Sequence, residues 1–101
     1  MSFATYFEWE IKAGAETAFA DAWEAATRHL LDHGSSGSAL FRTDDGHFAA
    51  FARWPSRTAR DSAFSAAIFP ASAAAMSESV ERMVHRIDLE GERDLWAWPP
   101  S

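Results

Sequence analysis

The chain has 101 residues, 48% of them hydrophobic, and a formal net charge of −6 at pH 7. This predicts a single globular domain over residues 1–101 and argues against a nucleic-acid partner, which a basic patch would attract. The absence of cysteine excludes disulfides and thiolate chemistry. No apolar run reaches the ~18 residues of a membrane span and the first residues lack a signal-peptide layout, so we expect a cytoplasmic protein with no membrane partner.

The first half of the chain predicts a strand, a helix and a β-hairpin. Residues 3–12 alternate apolar and polar side chains with the period of two that is typical of a strand. From residue 15 to about residue 32 the apolar side chains recur at helical spacing. A strand over about residues 38–43, an Asp-Gly turn and a strand ending at Trp54 then form the predicted hairpin.

The second half predicts helix and then strand. A helix capped by Ser56 or Thr58 extends to about residue 68, and after Pro70 a further helical piece covers residues 71–79. Residues 80–89 alternate again as a strand. The order β-α-β-β-α-β predicts an α+β, ferredoxin-like fold, with a four-stranded antiparallel sheet and the helices on one face.

Alternation also predicts which side chains face the helices. The strongly apolar odd-numbered side of the first strand is assigned inward, and the same parity turns Met83, His85, Ile87 and Leu89 of the fourth strand inward. The outer face then combines aromatic side chains with charges, including Arg86. Such a surface is too aromatic to be left in water, which predicts a homodimer through the sheet face. A monomer with a moderately apolar exposed sheet is the alternative.

The segment GSSGSALFRTDDGHFAAFARWPSRTA, residues 34–59, closely resembles antibiotic-biosynthesis-monooxygenase-like domains of the dimeric α+β barrel superfamily. The resemblance covers the Gly-Ser loop, the Leu-x-Arg strand, the Asp-Gly turn and the strand that ends in Trp-Pro-Ser, and it extends over roughly residues 3–90. It implies a dimeric α+β barrel. The superfamily includes cofactor-free oxygenases, haem-degrading enzymes and isomerases, and a fold does not by itself transfer a function.

The resemblance also implies a pocket between the helices and the inward sheet face, suited to a small hydrophobic ligand. The predicted wall residues are Thr5, Phe7, Trp9 and Trp54 from the sheet and Trp23 and Phe64 from the helices. His85 is the predicted catalytic base, because it is the one titratable side chain that the alternation turns toward this pocket, and imidazole is a common general base. A buried structural role for His85, and a strand-end packing role for Trp54, are the alternatives.

Departures from the superfamily's known chemistry narrow the expected function. Oxygenases of this kind that act on polycyclic aromatics use an Asn with Trp and Arg, and this sequence has no Asn. Haem degradation is not expected, because Phe7 occupies the position of the first-strand Asn and residues 56–79 contain no His ligand. His29 and His33 lack a third ligand, so no metal is expected. The resemblance and the predicted pocket imply a cofactor-independent monooxygenase of an aromatic or quinone-like molecule. The alternative, which the absence of Asn and Cys supports, is a non-catalytic ligand-binding or stress-associated dimer.

Overall fold

A computed structural model describes residues 2–66 and 70–96. The elements are β1 (Phe3–Ile11), α1 (Glu16–Leu31), β2 (Gly37–Arg42), β3 (Phe48–Trp54), α2 (Arg57–Ala66), α3 (Pro70–Ser79) and β4 (Val80–Glu90). Each predicted strand and helix is present within two residues of its expected bounds. The second helical segment consists of two helices, α2 and α3.

The four strands form one antiparallel sheet in the order β2-β3-β1-β4. This order confirms the ferredoxin-like fold, in which the two central strands, β1 and β3, are not consecutive strands of the chain. The helices cover one face of the sheet, the inner face, and leave the other, the outer face, uncovered along much of its length. No helix in the described part of the chain is long and apolar enough to cross a membrane.

Two local signals account for the ends of these elements. Gly46 follows the Asp pair of the hairpin with φ +84°, and its N–H donates to the Thr43 carbonyl at 2.9 Å. Ser56 caps α2, because its Oγ accepts the N–H of Ala59 at 3.1 Å. Thr58, the other predicted cap, lies inside α2, and the carboxylate of Asp61 in the same helix accepts a hydrogen bond from Arg60.

The core consists of two aromatic clusters on the inner face. Phe19 of α1 is fully buried between Trp9 and Phe48, with ring centroids 5.0 Å and 5.5 Å away. A second cluster joins Phe3 and Trp54 at the other end of the sheet. Since both clusters connect sheet to helix, they hold the helices above the sheet while leaving space between the clusters.

A β-bulge in β4 corrects the predicted faces of that strand. Trp9 pairs with Met83 but Glu8 pairs with His85, so Val84 is an extra residue between the two pairs. Met83 faces inward as predicted. Beyond the bulge the parity reverses: the inward placement predicted for His85 is wrong, and His85 lies on the outer face beside Glu8.

The same reversal changes the neighbours of His85. Ile87 and Leu89 face outward, contrary to prediction, while Arg86 and Asp88 face inward beside Phe7 and Thr5. A period-two pattern contains no signal for an inserted residue, and a one-residue shift moves every later side chain to the other face.

Charged groups on the outer face are paired within the chain. His47 Nδ1 lies 2.7 Å from Glu8 Oε2, and the Tyr6 hydroxyl donates to the other oxygen of Glu8 at 3.0 Å. These hydrogen bonds, His47 first, lower the pKa of Glu8 below its ordinary value. Arg82 donates to Glu10 at 3.2 Å.

The C-terminal segment also packs on the outer face. The ring of Trp96 stacks on Phe51 at 5.8 Å, the guanidinium of Arg53 lies 4.7 Å above the same indole, and Arg53 also forms an ion pair with Asp94. Trp96 therefore covers part of the outer face near the middle of β3.

Candidate functional site

A cavity of about 920 Å³ lies between the inner sheet face and the helices. This volume is at the upper end of the range for small-molecule sites, ~300–1,000 Å³. The six side chains predicted to form a pocket all line it: Thr5, Phe7, Trp9, Trp23, Trp54 and Phe64. The two core clusters delimit the space, which is why it remains open at the centre of so small a protein.

The walls are mainly aromatic and flat. Phe7 and Trp9 project from the same side of β1, and their rings stack nearly parallel at 5.2 Å. Trp54 is almost fully buried and contacts Phe64 of α2 at a centroid distance of 5.9 Å. Trp54 therefore both packs the end of its strand and forms cavity wall. Such walls bind planar apolar molecules by dispersion and ring stacking.

One end of the cavity, between α2 and β4, is strongly polar. Arg60 projects from α2 and its Nη1 donates to Asp88 Oδ1 at 2.9 Å and to Thr5 Oγ1 at 3.0 Å. Arg57 reaches Asp88 as well, at 3.1 Å. The hydrogen bond from Arg60 is the main reason why the pKa of Asp88 falls from 3.8 to about 2. Both partners are therefore charged at neutral pH, and together they join α2 to the sheet.

Two further ionised side chains line this polar end. Asp61 follows Arg60 on α2, and its Oδ1 accepts a hydrogen bond from Arg60 Nε at 2.8 Å. Arg86 lies two residues before Asp88 on the inward side of β4, with its guanidinium 5.9 Å above the Phe7 ring. A cation and a carboxylate thus border the apolar part of the cavity.

The expected catalytic base is not part of this cavity. His85 lies on the outer face, so the sheet itself separates its imidazole from a ligand bound among the aromatic walls. The rings of His29 and His33 are close, 4.8 Å apart, but among the described residues no three His, Asp or Glu side chains are grouped to hold a metal ion.

Arg60, Asp61 and Arg86 were not predicted as site residues. For Arg60 and Asp61 a signal existed: Arg60 shares the inner side of α2 with Ala63 and Phe64, three and four residues later, and an arginine on an apolar helix side requires a buried partner. For Arg86 no signal existed, because the bulge that turns it inward leaves no trace in the alternation.

Several solved protein structures superpose on this chain over most of its length. Rv0793 from Mycobacterium tuberculosis superposes with a TM-score of 0.79 at 19% identity, covering 95% of this chain and 100% of that one. SnoaB from Streptomyces nogalater, a cofactor-independent oxygenase, superposes with a TM-score of 0.79 at 15% identity, covering 93% of this chain and 96% of that one. A protein from Nitrosomonas europaea, provisionally named an antibiotic biosynthesis monooxygenase, gives 0.76 at 13% identity, with 90% of each chain covered.

No family model matches the sequence, and no curated protein matches it either. The structural similarities nevertheless define the fold: an α+β domain with a ferredoxin-like sheet. More particularly, the fold is the one seen in solved antibiotic-biosynthesis-monooxygenase-like proteins, as the resemblance of residues 34–59 implies. At these identities the similarity establishes the fold alone.

Proposed function

We propose that this chain is a cofactor-independent monooxygenase that acts on a small hydrophobic aromatic or quinone-like molecule. The observation that carries the proposal is the cavity of about 920 Å³, with aromatic walls and a charged end. The similarity of fold to SnoaB, a cofactor-independent oxygenase, supports it.

In this chemistry the substrate supplies the electrons. A C–H bond beside an aromatic ketone loses its proton, and the carbanion transfers electrons to O₂ and bonds to it. The hydroperoxide then loses water, so that CH₂ and O₂ become C=O and H₂O. The protein has to exclude bulk water, hold the ring system flat and stabilise negative charge on the ketone oxygen. The aromatic walls would exclude water and hold the ring system flat. The guanidinium of Arg86 would stabilise the negative charge on the ketone oxygen.

The test is oxygen uptake by the purified protein with anthrone and with hydroquinones. We expect uptake above the uncatalysed rate for the wild type and slower uptake in Ala52→Phe, because Ala52 lines the cavity and a phenyl ring there would project into the space that the substrate needs. Ala25→Phe is the matched control, since Ala25 is exposed on α1. Circular dichroism and thermal unfolding check that both variants are folded. Uptake at the background rate for every compound, or equal uptake by both variants, contradicts the proposal.

A second candidate function is non-catalytic binding of a small apolar ligand. The observation that favours it is that no histidine lines the cavity in the described part of the chain. Ligand binding without oxygen uptake, measured by quenching of tryptophan fluorescence and weakened by Ala52→Phe, would favour this function over the first.

We also propose that two copies associate through their outer faces to form the α+β barrel. Phe41, Ile87 and Leu89 on that face are exposed, with Phe41 at 55% and Ile87 at 46%. The charged side chains nearby are already paired within the chain, as in His47–Glu8 and Arg82–Glu10. Contact with a second copy would therefore bury few unpaired charges on this face. Phe41 lies on the edge strand β2, whereas Ile87 and Leu89 lie on the opposite edge strand β4. A twofold axis through the middle of the sheet would bury both edges of the outer face against the second copy.

A further inference from the structure

The polar end of the cavity contains a carboxylate for which the fold requires no structural role. Ser56 caps α2 and Asp88 is the principal partner of Arg60, so Asp61 is needed for neither. The Asp61 side chain is 60% exposed although it lines the cavity. Arg60 occupies Oδ1, and no group among the described residues bonds Oδ2. One carboxylate oxygen is thus fixed in place and the other is available.

Asp61 is also the only carboxylate among the described residues that line the cavity. Two arginines also line the cavity: Arg60, the neighbour of Asp61 on α2, and Arg86 on β4, two residues from the Asp88 that Arg60 holds. Deprotonation of a ketone requires a base near the C–H bond and a positive group near the carbonyl oxygen. A carboxylate of only modest basicity suffices when the anion formed is well stabilised, as in ketosteroid isomerase.

We infer that Asp61 is the general base of this site, which removes the proton from the C–H bond beside the ketone of the proposed substrate. The inference rests on the proposed function and specifies its first step. The C–H bond breaks, the proton passes to Asp61 Oδ2, and the electron pair moves to the ketone oxygen as an enolate. The guanidinium of Arg86 stabilises that enolate, and Arg60 holds Asp61 in position. This step requires neither O₂ nor any other oxidant.

The test separates proton transfer from oxygen chemistry. Anthrone is incubated with the protein in D₂O without oxygen, and NMR follows the loss of the CH₂ proton signal. We expect the wild type to accelerate exchange and Asp61→Asn to reduce that acceleration about 100-fold or more, the usual contribution of a general base. The substitution keeps a side-chain oxygen for Arg60 Nε, so α2 is not disturbed. Asp21→Asn, the same change at an exposed position of α1, is the matched control.

Each outcome bears on one of the two proposals. Exchange that depends on Asp61, without oxygen uptake in air, supports the base and contradicts the monooxygenase. Exchange that is equal in wild type and Asp61→Asn overturns the base even if oxygen is consumed. A wild type that does not accelerate exchange overturns it as well.

A pH series excludes a merely structural role. At alkaline pH anthrone ionises in solution and needs no base, so the deficit of Asp61→Asn in oxygen uptake should shrink as pH rises. A deficit that is constant with pH would show that the residue acts by shaping the cavity and would overturn the inference. Asp61→Glu, which retains a carboxylate, should recover part of the exchange rate if the unfolding temperatures of the two variants match.

Discussion

Arg60 Nη1 lies 2.9 Å from Asp88 Oδ1, so that a nearly buried guanidinium on α2 is held by a carboxylate on the edge strand β4. The same nitrogen donates to Thr5 on the central strand β1. The apolar contacts between α2 and the sheet centre on Ala63, which packs in one cluster with Phe3 and Trp54. The position of α2, and with it the polar end of the cavity, therefore depends on this ion pair.

The first prediction concerns the stability that this pair provides. Asp88→Asn should lower the free energy of unfolding by about 2–3 kcal/mol, below the 3–5 kcal/mol of a fully buried pair because Asp88 is 25% exposed. Urea denaturation measures the change. Glu24→Gln, which removes an exposed pair with Arg28, should cost at most about 0.5 kcal/mol. Equal effects of the two substitutions would contradict the structural importance of the pair.

The second prediction concerns the stability of the fold at acid pH. The pKa of Asp88 is about 2 in the folded chain and 3.8 ordinarily, so the folded state favours the ionised carboxylate. A lowered pKa contributes stability that is complete above the unfolded value and is lost as pH falls through the folded value. The unfolding temperature of the wild type should therefore fall more steeply than that of Asp88→Asn between about pH 4 and about pH 2. Parallel curves for the two proteins would show that the ion pair does not govern this acid range.

The third prediction concerns His85. Because its side chain lies on the outer face, His85→Ala should leave oxygen uptake with anthrone within about twofold of the wild type, whereas a general base contributes about 10²–10⁴-fold. Steady-state uptake at neutral pH measures this. A hundredfold loss, with the oligomeric state unchanged, would contradict the placement of the bulge at Val84.

The fourth prediction concerns the proposed dimer. Ile87→Asp places a charge beside the exposed Leu89 on the outer face. It should shift the molar mass measured by light scattering from that of a dimer to that of a monomer. Leu31→Asp is the matched control, since Leu31 is similarly exposed, at 49%, but lies on α1. Phe51→Asp should act like Ile87→Asp. A wild type that is already monomeric, or a mass that neither substitution changes, argues against association through this face.

The alternation of β1 and the helical spacing of α1 were sufficient to predict the fold, because each depends on a pattern that is repeated over many residues. The same patterns predicted the apolar cavity wall, since Phe7 and Trp9 project from one side of a regular strand. The charged end could not be predicted in this way. It depends on one inserted residue, Val84, and on an arginine whose partner lies 28 positions further along the chain.

The bulge at Val84 gives the end of β4 an inner side that its sequence pattern does not indicate. Val84 has no partner of its own on β1, while Met83 pairs with Trp9 and His85 with Glu8. Deleting Val84 would therefore keep these pairs and leave Arg86 and Asp88 on the inner side. A strand of the same sequence with every residue paired would instead turn His85, Ile87 and Leu89 inward and remove Arg86 from the cavity. One unpaired residue thus decides whether this end of the strand presents ionic or largely aliphatic side chains to the helices.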